Sequence, residues 1–188
     1  MTVIILGASS SGKTTLQNIL VRNFGFKKCN SYTTREPRPE EIDGVDYFFV
    51  TEEEIKEKFK KNEIIELKKF NKWFYGNCPI FDTSANSADY VCILTPSEFR
   101  KIKAKIPNEM FISFFMKRSR ASRLISSLQR GDNVDEAIRR NMTDEGLFDG
   151  IESEVDFTIE KDCVEKTFFE IAEDIVDVVK RRSKGEKV

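Results

Sequence analysis

Val3-Ile4-Ile5-Leu6-Gly7-Ala8-Ser9-Ser10-Ser11-Gly12-Lys13-Thr14 is the stretch that decides the fold. A short β-branched run stops at a glycine, and Lys13–Phe24 then carries Leu16, Ile19, Leu20 and Phe24 at helical spacing. Between strand and helix, Gly7 to Thr14 fit G-x-x-x-x-G-K-[ST], the loop that wraps a phosphate in backbone N–H groups at a helix N-terminus. The nucleotide-phosphate contacts expected are Gly7, Ala8, Ser9, Ser10, Ser11, Gly12, Lys13, Thr14 and Thr15. Lys13 would bridge the β- and γ-phosphates of ATP, and the Thr14 hydroxyl is the expected ligand for Mg²⁺.

Beyond this loop, strand-like and helix-like segments keep alternating. Strands are expected at Tyr47–Val50, Ile64–Phe70, Trp73–Tyr75, Val91–Leu94, Met110–Met116 and Val155–Ile159. Helices are expected from the capping box Thr51-Glu52-Glu53-Glu54 to about Lys61, and over Ser97–Lys105, Arg120–Gln129 and Val134–Met142. A last long helix carries Val164, Phe168, Ile171, Ile175 and Val178 on one face. Residues 31–46, with Pro37, Pro39 and Gly44 among charges, read as an ordered loop. Such alternation predicts an α/β fold, a parallel sheet covered by helices on both faces. Two inserts project from it, a mixed β-rich piece at about 31–78 and an Arg-rich helical piece at about 118–145.

Composition narrows the chemistry. The chain has 188 residues, enough for one domain, with 39% hydrophobic and 34% charged residues, a net charge of −1 and no histidine. That excludes Ser-His-Asp and Cys-His catalysis, histidine-bound zinc and histidine pH switching. No global basic field points to a nucleic-acid partner. Lys, Arg, carboxylates, hydroxyls and backbone amides remain, a set suited to phosphoryl transfer. Four cysteines, at 29, 78, 92 and 163, form no C-x-x-C pair and read as reduced, buried thiols. The apolar run Val3–Leu6 follows Met1-Thr2 directly, without the basic segment of a secretory signal, and no stretch has the roughly 18 apolar residues of a membrane span. The expectation is a cytoplasmic protein with no membrane partner, monomeric or homodimeric.

In Ser31–Val50, Arg35 and Arg38 are two fixed forks in a proline-stiffened loop, able to hold a phosphate bidentately, and Tyr47 could add a phenolic hydroxyl. Thr33, Thr34, Arg35, Arg38, Glu41, Gly44, Tyr47 and Phe49 fall at the spacings of the guanylate kinase signature. With the P-loop about twenty residues upstream, and with Asn62–Glu66 and Trp73–Gly76 downstream, residues 1–78 closely resemble that family. The resemblance implies a three-layer P-loop NTPase fold, with core 1–30, 79–117 and 146–188, a nucleoside monophosphate-binding region 31–78 and a lid 118–145. It implies transfer of a phosphoryl group from ATP to GMP or dGMP, with Mg²⁺. By position, Arg35, Arg38, Tyr47 and Tyr75 would hold the acceptor phosphate, Glu41 would belong to the same GMP-binding set, and Ser31, Glu66 and Asn77 would lie by the base. The Glu66 carboxylate can accept from both N1–H and the 2-amino group of guanine, a pair that adenine lacks.

A third cluster, Lys117, Arg118, Arg120, Arg123, Arg130, Arg139 and Arg140, falls at and within the lid that the resemblance implies. Arg130, before Gly131, matches a lid arginine that would stabilise the transferring phosphoryl group. The second lid arginine falls by register on Asn141, with Arg140 adjacent and able to serve. The catalytic set expected is therefore Lys13, Arg35, Arg38, Arg130 and Arg140. Elsewhere the chain departs from the family: Thr95-Pro96-Ser97 replaces an Asp-x-Asp, Asn77 a Ser or Thr, and Glu160 an Asn beside the adenine. Cys78–Asp89 also reads less helically than the family pattern. These departures motivate a second reading, a P-loop kinase for a related acceptor such as a modified deoxynucleotide, or a low-activity guanylate kinase-like binding module. Both inserts are expected to move on closure over substrates.

Overall fold

The computed structural model describes residues 1–39, 41–45, 47–61, 63–70, 72–77, 88–162 and 165–186. Every residue of β1 (Thr2–Gly7) is buried. The strand lies at the centre of a five-stranded sheet ordered β2 (Lys27–Lys28), β7 (Tyr90–Ile93), β1, β8 (Phe111–Lys117), β9 (Phe157–Glu160), with every pair parallel. The unbroken apolar run of β1 follows from this position. Val3 and Ile5 pack with Leu16 and Leu20 of α1 (Lys13–Phe24) and with Ile171, Ile175 and Val179 of α6 (Phe168–Ser183). Ile4 and Leu6 point the other way, onto Leu94, Phe115, and Phe99 and Ile102 of α3 (Pro96–Lys103). Alternate side chains thus enter two cores, and the three layers expected of an α/β chain result. Each fully buried leucine or isoleucine in these layers contributes roughly 1.5–3 kcal/mol.

The second sheet is mixed and ordered β4 (Tyr47–Phe49), β3 (Ser31–Thr33), β6 (Trp73–Asn77), β5 (Glu66–Phe70). β3 runs parallel to β4 and antiparallel to β6. Residues 31–33 are therefore a strand, although the sequence reads as loop from residue 31. Three residues carry too little periodicity to be seen, and pairing on both sides makes the strand. Likewise β2, two exposed lysines, exists only because it pairs with β7. On one face of this sheet Tyr32 stacks on Phe48, with ring centroids 5.0 Å apart. α2 (Glu52–Lys60), opened by the expected Thr51–Glu54 capping box, covers that face with Lys58 over the Tyr32 ring and Lys56 over the Phe74 ring. The opposite face carries Ser31, Thr33, Tyr47, Phe49 and Tyr75.

Helices α4 (Arg120–Gln129) and α5 (Val134–Thr143) pack on each other. Their burial is inverted. α4 buries Arg123 and Ser127, and α5 buries Ala137 and Asn141, while Ile125, Leu128, Val134, Ile138 and Met142 are exposed. The last helix starts at Phe168 behind a Thr167–Glu170 capping box; Cys78, Cys163 and Val164 lie outside the described residues, as does most of 78–89. Cys92 is buried as expected, and Cys29 is half-buried. No helix among the described residues is long and apolar enough to cross a membrane.

Candidate active site

The loop after β1 lies at the carboxyl edge of the parallel sheet, where open α/β sheets bind ligands. Gly12 caps α1 at φ 104° and offers no side chain to the first-turn amides, so these donors have no side-chain cap of their own. Any Cβ on Gly12 would lie 2.4 Å from the Phe168 ring, and one on Gly7 would lie 2.9 Å from the Met116 carbonyl oxygen. Both glycines are thus demanded by close approach. Lys13 Nζ donates to the Ala8 carbonyl oxygen at 2.7 Å, curling back over the loop. Burial pushes its pKa down to about 8, partly opposed by the negative charge of Asp144 and reinforced by Arg123. Thr14 and Thr15 are exposed at the start of α1. No group of three or more His, Cys, Asp or Glu that could hold a metal occurs among the described residues. One hydroxyl without a carboxylate cage fits a magnesium ion held chiefly by nucleotide phosphates and water.

The helix pair rests on this loop. Ser127 Oγ lies 2.6 Å from Ser10 Oγ, and Arg130 Nη2 reaches Ser10 Oγ at 3.4 Å while its fork is held by Asp132. Arg140 is not brought to the loop in this arrangement. Its Nε donates to Glu136 at 2.7 Å, a carboxylate that Arg139 also binds, and the two hydrogen bonds lower the Glu136 pKa to about 2. Asn141, where register puts the second lid arginine, is buried and donates to the Ala137 carbonyl oxygen. Two residues the sequence did not single out for a role stand there instead. Asp144 Oδ2 accepts from the Ser9 N–H at 2.6 Å, and Arg123 Nη1 donates to the Ser9 carbonyl oxygen at 3.3 Å. The sequence marks this segment as basic, but only the burial of α4 in the structure singles out Arg123.

On the mixed sheet, Ser31 pairs with Tyr47 and Glu66 with Asn77, and continuing the Tyr32–Gly76 register by one residue sets Ser31 opposite Asn77. Four expected acceptor residues therefore form one cross-strand row, and Tyr75 lies two residues along from Asn77 on the same face. Thr33 and Thr34 anchor the adjoining turn: Thr33 Oγ1 accepts from the Arg35 N–H and Thr34 Oγ1 from the Phe74 N–H. Arg35 is thereby fixed with its guanidinium 5.7 Å from the Tyr47 ring centroid and 5.8 Å from that of Phe49. Its Nη2 donates to both oxygens of Glu41 at 2.8 Å, which with Tyr75 raises its pKa further. Glu41 also accepts from the Arg38 N–H at 2.8 Å, and that bond, then Arg35, lowers its pKa. The Arg38 side chain itself is exposed. Tyr47 and Tyr75 meet edge to face at 6.3 Å.

Glu66 is engaged in ways the sequence did not reveal. Its carboxylate pairs with Lys101 of α3 and with Lys68 at 2.7 Å, and Lys68 also reaches Glu98 at 3.3 Å. Burial raises the Glu66 pKa, but the two lysines outweigh it and hold the group below its ordinary value. The network ties the mixed sheet to the core. Thr95, standing where the family has an acid, is the N-cap of α3 with Glu98 completing the capping box. Glu160, the other departure, accepts from Lys117 Nζ at 2.9 Å.

A phosphate loop after the central strand of a parallel sheet, a basic helix pair over it and a separate arginine–tyrosine cluster define a P-loop α/β nucleotide-binding protein. Comparison with known proteins narrows the class. A sequence model described as guanylate kinase matches residues 1–178, and the chain belongs to the guanylate kinase family. It is 28% identical over 169 residues to a guanylate kinase of Chlamydia caviae, covering 87% of this chain and 81% of that one. With a guanylate kinase of Lactobacillus acidophilus it shares 32% identity over 114 residues, 58% of this chain, and spans only 56% of that relative's length. The crystal structure of a guanylate kinase from Anaplasma phagocytophilum superposes with a TM-score of 0.59 at 20% identity, covering 95% of this chain and 84% of that one, which shows the shared fold.

Proposed function

We propose that this protein transfers the γ-phosphoryl group of ATP to GMP or dGMP, giving ADP and GDP or dGDP. The observation that carries the reading is the pair of anion sites, the loop around Lys13 and the Arg35–Tyr47–Tyr75 cluster, built on separate sheets. An oxygen of the acceptor monophosphate attacks the γ-phosphorus and ADP leaves. The nucleophile is already an oxyanion, so no strong base is needed and the lack of histidine costs nothing. The chain's task is to align two polyanions and neutralise them. In this reading the Gly7–Thr15 loop binds ATP, with Lys13 on its phosphates. Arg35 and Arg38 clamp the acceptor phosphate with Tyr47 and Tyr75, and Glu41 orients Arg35. Ser31, Glu66 and Asn77 face the base. Arg130 reaches the transferring group, and Arg140 joins it only by leaving Glu136. Mg²⁺, carried in on the nucleotide, would bind the Thr14 hydroxyl and neutralise phosphate charge.

The reading divides the chain into a core (1–30, 79–117, 146–188), an acceptor-binding region (31–78) and a lid (118–145). It also makes the protein a cytoplasmic, monomeric or homodimeric enzyme whose partners are nucleotides. The Lys68 and Lys101 pairs on Glu66 favour the second reading in one respect, since a modified base could share that carboxylate differently. ADP release with Mg²⁺-ATP, measured against a panel of ribo- and deoxynucleoside monophosphates, separates the two. GMP or dGMP should be turned over far faster than AMP, CMP or UMP, and Glu66→Gln should cut guanine use by about 10²-fold through loss of the paired acceptor. Turnover confined to a non-guanine acceptor would refute the main reading.

A further inference from the structure

Arg123 and Asp144 have no part in the reaction as set out above, yet they hold the phosphate loop through largely buried side chains. Arg123 is 8% exposed, and its ion pair with Asp144 spans 3.5 Å. The pair grips one peptide from both sides: Asp144 accepts from the Ser9 N–H and Arg123 donates to the Ser9 carbonyl oxygen. Arg123 Nε is buried and has no hydrogen-bond partner among the described residues. Both side chains line a cavity of about 220 Å³ between the loop and the helix pair, with Ala8, Arg118 and Asn141. Packing alone would favour apolar side chains here, since burying a guanidinium with an unused donor costs stability. α4 does the reverse, turning Ile125 and Leu128 out and Arg123 in. A buried cation with a spare donor, set against a phosphate loop, suits an anion that arrives later.

We propose that Asp144 holds the place of a nucleotide phosphate at the Ser9 amide in the empty protein, and that the triphosphate of ATP displaces it and takes Arg123 as an additional phosphate ligand. This rests on the reading of the loop as an ATP site. The Ser9 N–H belongs to the backbone donors that surround an anion, and a carboxylate now fills it. The same carboxylate acts on Lys13, offsetting in part the burial of its ammonium group. A phosphate and a carboxylate cannot share one donor at the range of one lysine, because their charges repel. Once Asp144 moves away, Arg123 is left without its counter-ion, and its planar fork matches two phosphate oxygens. Arg130 and Arg140 differ, each being exposed and held by a carboxylate of the helix pair itself.

The test is titration calorimetry of Mg²⁺-ATP and of GMP, separately, into the full chain. Asp144→Asn keeps size and one acceptor but removes the charge, and should bind ATP about tenfold more tightly with GMP affinity unchanged. Arg123→Lys keeps the charge but loses the fork, and should bind ATP about tenfold more weakly, again without effect on GMP. Hydrogen exchange adds a readout that ATP affinity does not enter. The Ser9 amide should be protected in the empty wild type, exchange faster in Asp144→Asn, and regain protection in both on adding ATP. Unchanged or weaker ATP binding by a folded Asp144→Asn would overturn the proposal. If that variant does not fold, unaltered ATP binding by Arg123→Lys would overturn it equally. GDP formation assayed on the same preparations keeps the two claims apart. ATP binding that shifts as stated without GDP formation keeps this proposal and rejects the kinase reading, whereas GDP formation with ATP binding indifferent to both variants does the opposite.

Discussion

Replacing Lys13 with methionine should make the empty protein more stable near neutral pH while abolishing its chemistry. The folded-state pKa of Lys13 is about 8, against an ordinary 10.5. At about 1.4 kcal/mol per unit, keeping this ammonium charged at pH 7 costs the fold about 3 kcal/mol. Methionine removes that cost but forfeits the hydrogen bond to the Ala8 carbonyl oxygen, worth about 1 kcal/mol. The net gain expected at pH 7 is thus about 2 kcal/mol, or roughly 4–8 °C in melting temperature for a chain of this size. The sign of the pH dependence follows from the lowered pKa. Between pH 8 and 10.5 the unfolded chain binds the extra proton, so wild-type stability from this group rises with pH. By pH 9.5 the remaining cost is about 1.4 kcal/mol, and the advantage of the variant should shrink by about 2 kcal/mol. Urea unfolding of both proteins without nucleotide, at pH 7 and pH 9.5, measures the difference of differences. A stability gap that is the same at both pH values would refute the reasoning, because it would mean that Lys13 is not held below its ordinary pKa.

Nucleotide binding should restore the Lys13 charge. At pH 8.5, where roughly three quarters of the empty protein has a neutral Lys13, ATP binding should take up about 0.7 proton, and near none at pH 6.5. Calorimetry in buffers of differing ionisation enthalpy reads this directly. Arg35→Lys loses the fork on Glu41 and the contact with the Tyr47 and Phe49 rings, so KM for GMP should rise about 30-fold or more with little change in KM for ATP. Gly12→Ala adds a Cβ 2.4 Å from the Phe168 ring at a backbone φ of 104°. Strain and overpacking together should cost about 2–4 kcal/mol, lowering the melting temperature by roughly 4–16 °C. Adding Phe168→Leu should return part of that loss.

The parts of this fold that the sequence makes legible are those set by neighbours in the chain. α1 runs over Lys13–Phe24 as its periodicity predicts, because Gly12 and Gly25 bracket it in left-handed conformations. The Thr51–Glu54 box opens α2 for an equally local reason. β2 and β3 are invisible because two or three residues carry no pattern, and partners far along the chain create them. The candidate site divides in the same way. Arg35, Glu41 and Tyr47 sit within one turn and strand, so their spacing already implies a cluster. Glu66 falls by register in one row with Asn77, Ser31 and Tyr47, but its lysine partner on α3 is 35 positions away, beyond the reach of any local pattern. Arg123 and Asp144 are 21 positions apart and meet over Ser9 only when α4 and α5 fold onto the loop. Charge patterning marks the segment as basic without telling which arginine turns inward.

The central claim is that the two anion sites act on one phosphoryl group. Phosphorus-31 NMR of the purified protein with Mg²⁺-ATP and GMP follows that group directly. The account predicts loss of the ATP γ-resonance with matching growth of the β-resonance of GDP and little inorganic phosphate. Conversion of the γ-phosphate to inorganic phosphate with GMP unchanged, or no change in any resonance, would contradict it.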